Sequence, residues 1–114
     1  MRQGSPVPLA FTVANAGKGP VTLPLAGREP TADFTVTEPS GRAVWSHLRG
    51  KILRGSLRLF PLDAGKKLSF KQVWDQRNDA GQRVRPGEYV VRAVLLTDDP
   101  EGLASRVTHL RIEP

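Results

Sequence analysis

The sequence predicts an all-β chain folded as an antiparallel β-sandwich of about eight short strands with no disulfide. Three observations predict it. Eleven glycines and ten prolines fall at short intervals among 114 residues, and they separate apolar stretches of strand length. Within most of those stretches apolar side chains alternate with polar or small ones, which is the two-residue period of a half-buried strand. No window sustains a helical period, and the best helix candidate, Leu53–Leu59, is interrupted by Gly55.

The elements follow in order. Val7–Ala14 is the first strand, with Leu9, Phe11 and Val13 on one face. Pro6 and Pro8 mark it as an edge strand, because proline donates nothing to a ladder. A turn over residues 15–19 leads to Val21–Leu25. Ala32–Glu38 sets Phe34 and Val36 inward and Thr35 and Thr37 outward. Pro39-Ser40-Gly41 is a tight turn, and Ala43–His47 returns with Val44 and Trp45. Leu48–Ser56 is irregular, and Leu57–Phe60 is a short strand closed by Pro61. Lys66–Trp74 carries Leu68, Phe70 and Trp74 on one face. Glu88–Thr97 is apolar on both faces apart from Arg92, the mark of a central strand. Ala104–Ile112 is the last strand.

Gly87-Glu88-Tyr89 opens that central strand as the tyrosine-corner motif does, which makes the sandwich immunoglobulin-like. The cysteine pair of antibody domains is absent, and Trp45 or Trp74 takes the space between the sheets. The predicted core scaffold is Phe34, Trp45, Phe70, Trp74 and Tyr89. The length suits one sandwich domain over residues 1–114.

Composition narrows the function. The chain has 39% hydrophobic and 25% charged residues, as globular proteins do. No apolar run reaches the ~20 residues of a membrane-spanning helix. With no cysteine there is no thiol nucleophile and no cysteine-based zinc site, and a cytoplasmic setting is expected. The net charge is +6. Arg42, Arg49, Lys51, Arg54 and Arg58, with His47, form an acid-free basic segment. Such charge attracts acidic partners. Nucleic acid is disfavoured because aromatics are only 6% of the chain and fall at core positions rather than as stacking platforms.

Catalysis is not expected. The six serines lie in turns or on strand faces, no Gly-x-Ser-x-Gly elbow occurs, and the two histidines are His47 and His109. Asp98, Asp99 and Glu101 lack the alternating spacing of a calcium loop and read as a solvated turn. No glycine loop leads into a helix to cradle a phosphate. No cofactor is implied.

The ordered pieces of Leu23–Leu96, with the end of the first strand, resemble the BsuPI-type intracellular proteinase inhibitor family. They are Val13-Ala14-Asn15-Ala16-Gly17, Asp33-Phe34-Thr35-Val36, Gly41-Arg42-Ala43-Val44-Trp45, Gly65 to Trp74, and Asp79-Ala80-Gly81 before Val84-Arg85-Pro86-Gly87-Glu88-Tyr89. Ala32 stands where that pattern favours an aromatic. The resemblance implies a cofactor-free sandwich that binds a protein partner, an intracellular subtilisin-type serine protease.

An inhibitor of this kind needs a preorganised loop to occupy the protease cleft. Three segments are long enough: Leu48–Ser56, Gln76–Pro86 and Asp98–Leu103. The candidate contact loop is Leu48, Arg49, Gly50, Lys51, Ile52, Leu53 and Arg54, which joins pocket-filling apolar side chains to basic ones suited to an acidic rim. The same composition also fits a non-inhibitory binding or accessory module of immunoglobulin-like fold.

Overall fold

The structure, a computed structural model, describes residues 1–26, 30–48, 58–97, 102–105 and 107–114. Nine strands are formed among them: β1 (Val7–Ala14), β2 (Val21–Leu25), β3 (Ala32–Thr37), β4 (Ala43–Ser46), β5 (Arg58–Leu62), β6 (Lys67–Trp74), β7 (Gly87–Leu95), β8 (Leu103–Ala104) and β9 (Thr108–Ile112). All strand pairs are antiparallel, and the fold is the sandwich that the alternation predicts.

One layer is the β1–β6 pair, in register from Val7 opposite Trp74 to Ala14 opposite Lys67. The other is a five-stranded sheet in the order β4-β3-β7-β8, with β9 also on β7. β7 is central, flanked by β3 on one side and by β8 and β9 on the other, which is why it is apolar on both faces. β2 and β5 form a third pair, joined to the five-stranded sheet by a bridge between Leu25 and Thr97.

Two strands differ notably from the sequence expectation, and one register is irregular. The last strand is two, β8 and β9, separated by residues 105–107. β5 runs through Pro61 to Leu62 rather than stopping before it. It pairs only with β2 among the described strands, so a missing N–H breaks no second ladder. The β3–β4 register shifts between Val36 and Thr37, leaving Val44 as the extra residue of a β-bulge.

The core lies between the layers. Val7, Leu9 and Phe11 of β1 meet Phe34 and Val36 of β3 and Ala93 and Leu95 of β7. Trp45 and Trp74, one from each layer, stand 6.1 Å apart, and Trp74 meets Tyr89 edge-on at 5.9 Å. Thus both tryptophans fill the space that a disulfide occupies in antibody domains. Phe34, Trp45, Trp74 and Tyr89 are buried, whereas Phe70 is half-buried and stacks on Phe11 at 6.1 Å. Phe70 sits in the middle of β6 opposite Phe11 and packs against the core cluster from its margin.

The tyrosine corner is complete: the Tyr89 hydroxyl donates to the Arg85 carbonyl, four residues upstream. Burial, and then the charge of Glu38, raise the Tyr89 pKa, while Arg85 acts in the opposite direction. The folded state therefore keeps this proton to higher pH than an unfolded tyrosine does. Stability is expected to be independent of Tyr89 below the ordinary tyrosine value near 10, and to fall as pH rises through it. Tyr89→Phe is expected to cost about 1–2 kcal/mol at neutral pH and to remove that alkaline loss. Denaturant melts at neutral and alkaline pH check both effects. An unchanged alkaline slope would place the titration elsewhere.

Candidate functional site

The segment that carries the predicted contact loop leaves β4 at a fixed point. Asp33, in β3, accepts a bond from the Ser46 hydroxyl at 2.8 Å and a second from the Leu48 amide at 3.0 Å. The neighbouring His47 amide donates to the Phe34 carbonyl at 2.9 Å. One carboxylate therefore holds the last residue of β4 and the first residue of the loop. A charge-assisted acceptor of two bonds is the stronger kind of anchor. Leu48 is half-buried at this root, and the remaining loop residues Arg49, Gly50, Lys51, Ile52, Leu53 and Arg54 lie outside the described residues. The chain is described again at Arg58, the start of β5, whose pairing with β2 ends in the fully buried Leu25.

The second predicted protruding segment, Gln76–Pro86, is instead pinned. The Asp79 amide donates to the Val44 carbonyl, and the Asp79 carboxylate accepts from the Ser46 amide at 3.1 Å. This covers the outer edge of β4. Arg77 and Arg83 bridge across the segment, and Asn78 accepts from the Ala80 and Gln82 amides. Of the third segment, residues 98–101 lie outside the described residues, so its acidic turn is not placed.

Two polar residues organise the scaffold around these loops. Asn15, at the end of β1, donates from Nδ2 to the Gly19 and Leu62 carbonyls and accepts the Gly17 amide at Oδ1, each at 2.9 Å. It thereby ties the first turn to the end of β5. Gln76 is buried at 2% exposure. Its Nε2 donates to the Arg2 and Ser5 carbonyls and its Oε1 accepts the Gly4 amide. No local pattern in the sequence marks Gln76. Its backbone is left-handed, with φ of 61°, a conformation usually left to glycine.

Among the described residues, no group of three or more His, Asp or Glu is placed to hold a metal. No described helix is long and apolar enough to cross a membrane. His47 lies tilted against Trp45 at 6.2 Å, and His109 is exposed on β9 opposite Val90.

The fold is that of a cysteine-free immunoglobulin-like β-sandwich, with Asp33 tying β3 to the end of β4 and to Leu48. The chain belongs to the BsuPI family of intracellular proteinase inhibitors, whose profile matches residues 1–100. No curated protein matches. Among solved structures, the chain is similar to the Pseudomonas fluorescens alkylpurine DNA glycosylase AlkC, determined bound to DNA containing an abasic site analogue. The identity is 16% and the TM-score 0.54, over 100% of this chain and 27% of that one. The chain thus spans about a quarter of the glycosylase, and the likeness is one of fold. A weaker likeness, to the flagellar hook-capping protein FlgD of Xanthomonas campestris, has 16% identity and a TM-score of 0.38, over 96% of this chain and 70% of that one.

Proposed function

We propose that the protein blocks an intracellular subtilisin-type serine protease, with Leu48–Arg54 as the segment that enters the protease cleft. Family membership supports inhibition of a proteinase. The observation that supports this loop is the double anchorage of its root by Asp33. A loop held at its base loses less conformational freedom on docking, so more of its contact energy appears as affinity. Leu48, Ile52 and Leu53 supply apolar side chains, and Arg49, Lys51 and Arg54 supply charge that steers toward an acidic rim.

The test is a titration of an intracellular subtilisin-type protease with the purified protein, following peptide hydrolysis. Stoichiometric loss of activity is expected, with the chain recovered uncut. Replacing Arg49 and Lys51 together by serine is expected to weaken inhibition by about tenfold or more, as loss of charged contacts does, with melting nearly unchanged. Asp33→Ala is expected to weaken it as well and to expose residues 48–54 to cleavage. Full inhibition by both variants would remove this loop from the contact.

A second reading is a non-inhibitory binding or accessory module. It is favoured by the likeness to only 27% of the glycosylase chain, where a stretch of this fold is part of a larger protein. Undiminished protease activity at micromolar excess of the wild-type protein would select it.

A further inference from the structure

The two layers of the sandwich are unequal. The β1–β6 layer has two strands and faces a sheet of five. In immunoglobulin sandwiches a further strand lies beside the counterpart of β1, on the side away from β6. Among the described residues no strand occupies that place. The inner face of the five-stranded sheet is consequently sealed in its middle and open toward β9. Ala93 and Ile112 are buried, whereas Val91 and Leu110 are only half-buried and Thr108 is exposed. These side chains share one face, because they alternate along their strands and Val91 pairs with Thr108. A groove of about 170 Å³ lies here, lined by Leu9 from β1, Phe34 from β3, Val91 and Ala93 from β7, and Thr108 and Leu110 from β9. A cavity of about 150 Å³ holds one benzene ring. The groove therefore suits one apolar side chain and is too small for an ordinary ligand.

The backbone beside this groove is open to pairing. The Glu113 amide donates to the Met1 carbonyl and the Glu113 carbonyl accepts from the Gln3 amide, each at 2.7 Å. This pairing is parallel, with Arg2 opposite Glu113. Both backbone groups of Glu113 thus point away from β7. Successive residues of a strand turn these groups to alternate edges. The amides and carbonyls of Arg111 and His109 therefore face the same outer edge, where no described strand pairs with them. The free edge of β1 is the poorer template. The Asn15 amide donates toward β6, to the Lys66 carbonyl, so by the same alternation Pro8 turns to the free edge, where it has no N–H to offer.

A free edge with a side-chain pocket beside it is the arrangement that takes an extended peptide, since main-chain bonds supply affinity and the pocket selects a side chain. We propose that an extended strand of a protein partner docks on the outer edge of β9, parallel to it and in line with Met1–Gln3, and sets one apolar side chain into the groove. The existing pairing at Glu113 gives the incoming strand its direction and its line. A second copy of this chain is the poorer occupant, because a net charge of +6 and the edge residues His109 and Arg111 oppose pairing of like edges. The site is built from elements other than residues 48–54 and does not depend on inhibition through them.

The test is fluorescence anisotropy with a fluorescein-labelled Ser-Val-Thr-Val-Thr-Val-Ser peptide, titrated with the full chain. The same peptide with alternate backbone amides N-methylated, which cannot pair along an edge, is run beside it. Saturable binding of the first is expected, with none of the second. His109→Pro removes a donor from the outer edge without touching the ladder to β7, and is expected to weaken binding about three- to tenfold. Thr108→Trp fills the groove and is expected to weaken it by at least about tenfold. Val73→Thr changes an exposed apolar residue of β6 and is expected to alter affinity by less than about twofold. A loss with Val73→Thr equal to that with Thr108→Trp would show general apolar attraction and overturn the site. So would absence of binding, or equal binding of the N-methylated peptide. Amide hydrogen exchange reads the edge directly. The His109 and Arg111 amides are expected to exchange freely in the chain alone and to slow by at least about tenfold with the peptide. Slow exchange before peptide is added, or self-association that His109→Pro abolishes, would show that the edge is already covered and overturn the proposal. Melting of each variant confirms that it is folded, and protease titration is read separately, so failure of one proposal does not mask the other.

Discussion

Trp74→Ala is expected to destabilise the protein by about 3–5 kcal/mol. The side chain is fully buried between the layers, in contact with Trp45 and Tyr89. Its truncation removes both ring pairs and opens a cavity that backbone on two sheets cannot collapse into. It also strands the Arg77 carbonyl, to which Nε1 donates at 2.9 Å. A domain of this size is stable by only about 5–15 kcal/mol, so the variant sits near the edge of folding. Trp74→Phe keeps most of the volume and loses the N–H, and about 1–3 kcal/mol is expected. Urea melts of both variants check the order. A wild-type midpoint for the alanine variant would place the ring outside the core.

Asn15→Leu is expected to cost about 2–4 kcal/mol, although leucine is the more apolar residue. The amide makes three hydrogen bonds to backbone at one buried point, and its loss leaves the Leu62 carbonyl without its donor inside the fold. Asn15→Asp separates the parts of this effect. The carboxylate still accepts the Gly17 amide but turns a negative oxygen toward two carbonyls. Those carbonyls raise its folded pKa above the unfolded value near 3.9. The stability deficit of the Asp variant against wild type is therefore expected to be full at neutral pH and to shrink as pH falls toward the unfolded value. A deficit that does not change with pH would show that shape rather than the donor is what matters at residue 15.

The strands were legible because alternation is a local signal. Phe34 and Val36 point inward and Thr35 and Thr37 outward, as their period requires, and β7 is central as its two apolar faces require. The tyrosine corner was legible too, since Gly87-Glu88-Tyr89 and its acceptor at Arg85 lie within one short segment. What escaped depends on partners distant in the chain. Gln76 binds Arg2, Gly4 and Ser5, more than seventy positions away, and nothing near it announces the tether. The anchoring role of Asp33 needed the β3–β4 register. Pro61 reads as a stop because proline is disfavoured in paired strands, a rule that relaxes where, among the described residues, one side of the strand carries no ladder.

The buried trio of Trp45, Trp74 and Tyr89 also sets what light can report about this molecule. The chain has only those two tryptophans, and both indoles are sealed between the layers. Their emission is expected to be that of a dry environment, with Tyr89 close enough to pass excitation to Trp74. Unfolding releases all three rings to water at once, so a red shift of intrinsic fluorescence follows the collapse of the sandwich. A partner that docks on surface residues remote from His47 and Tyr89 leaves that signal almost unaltered. Intrinsic emission is thus a gauge of integrity, blind to surface engagement, and a change in it on adding a partner marks disturbance of the interior rather than contact.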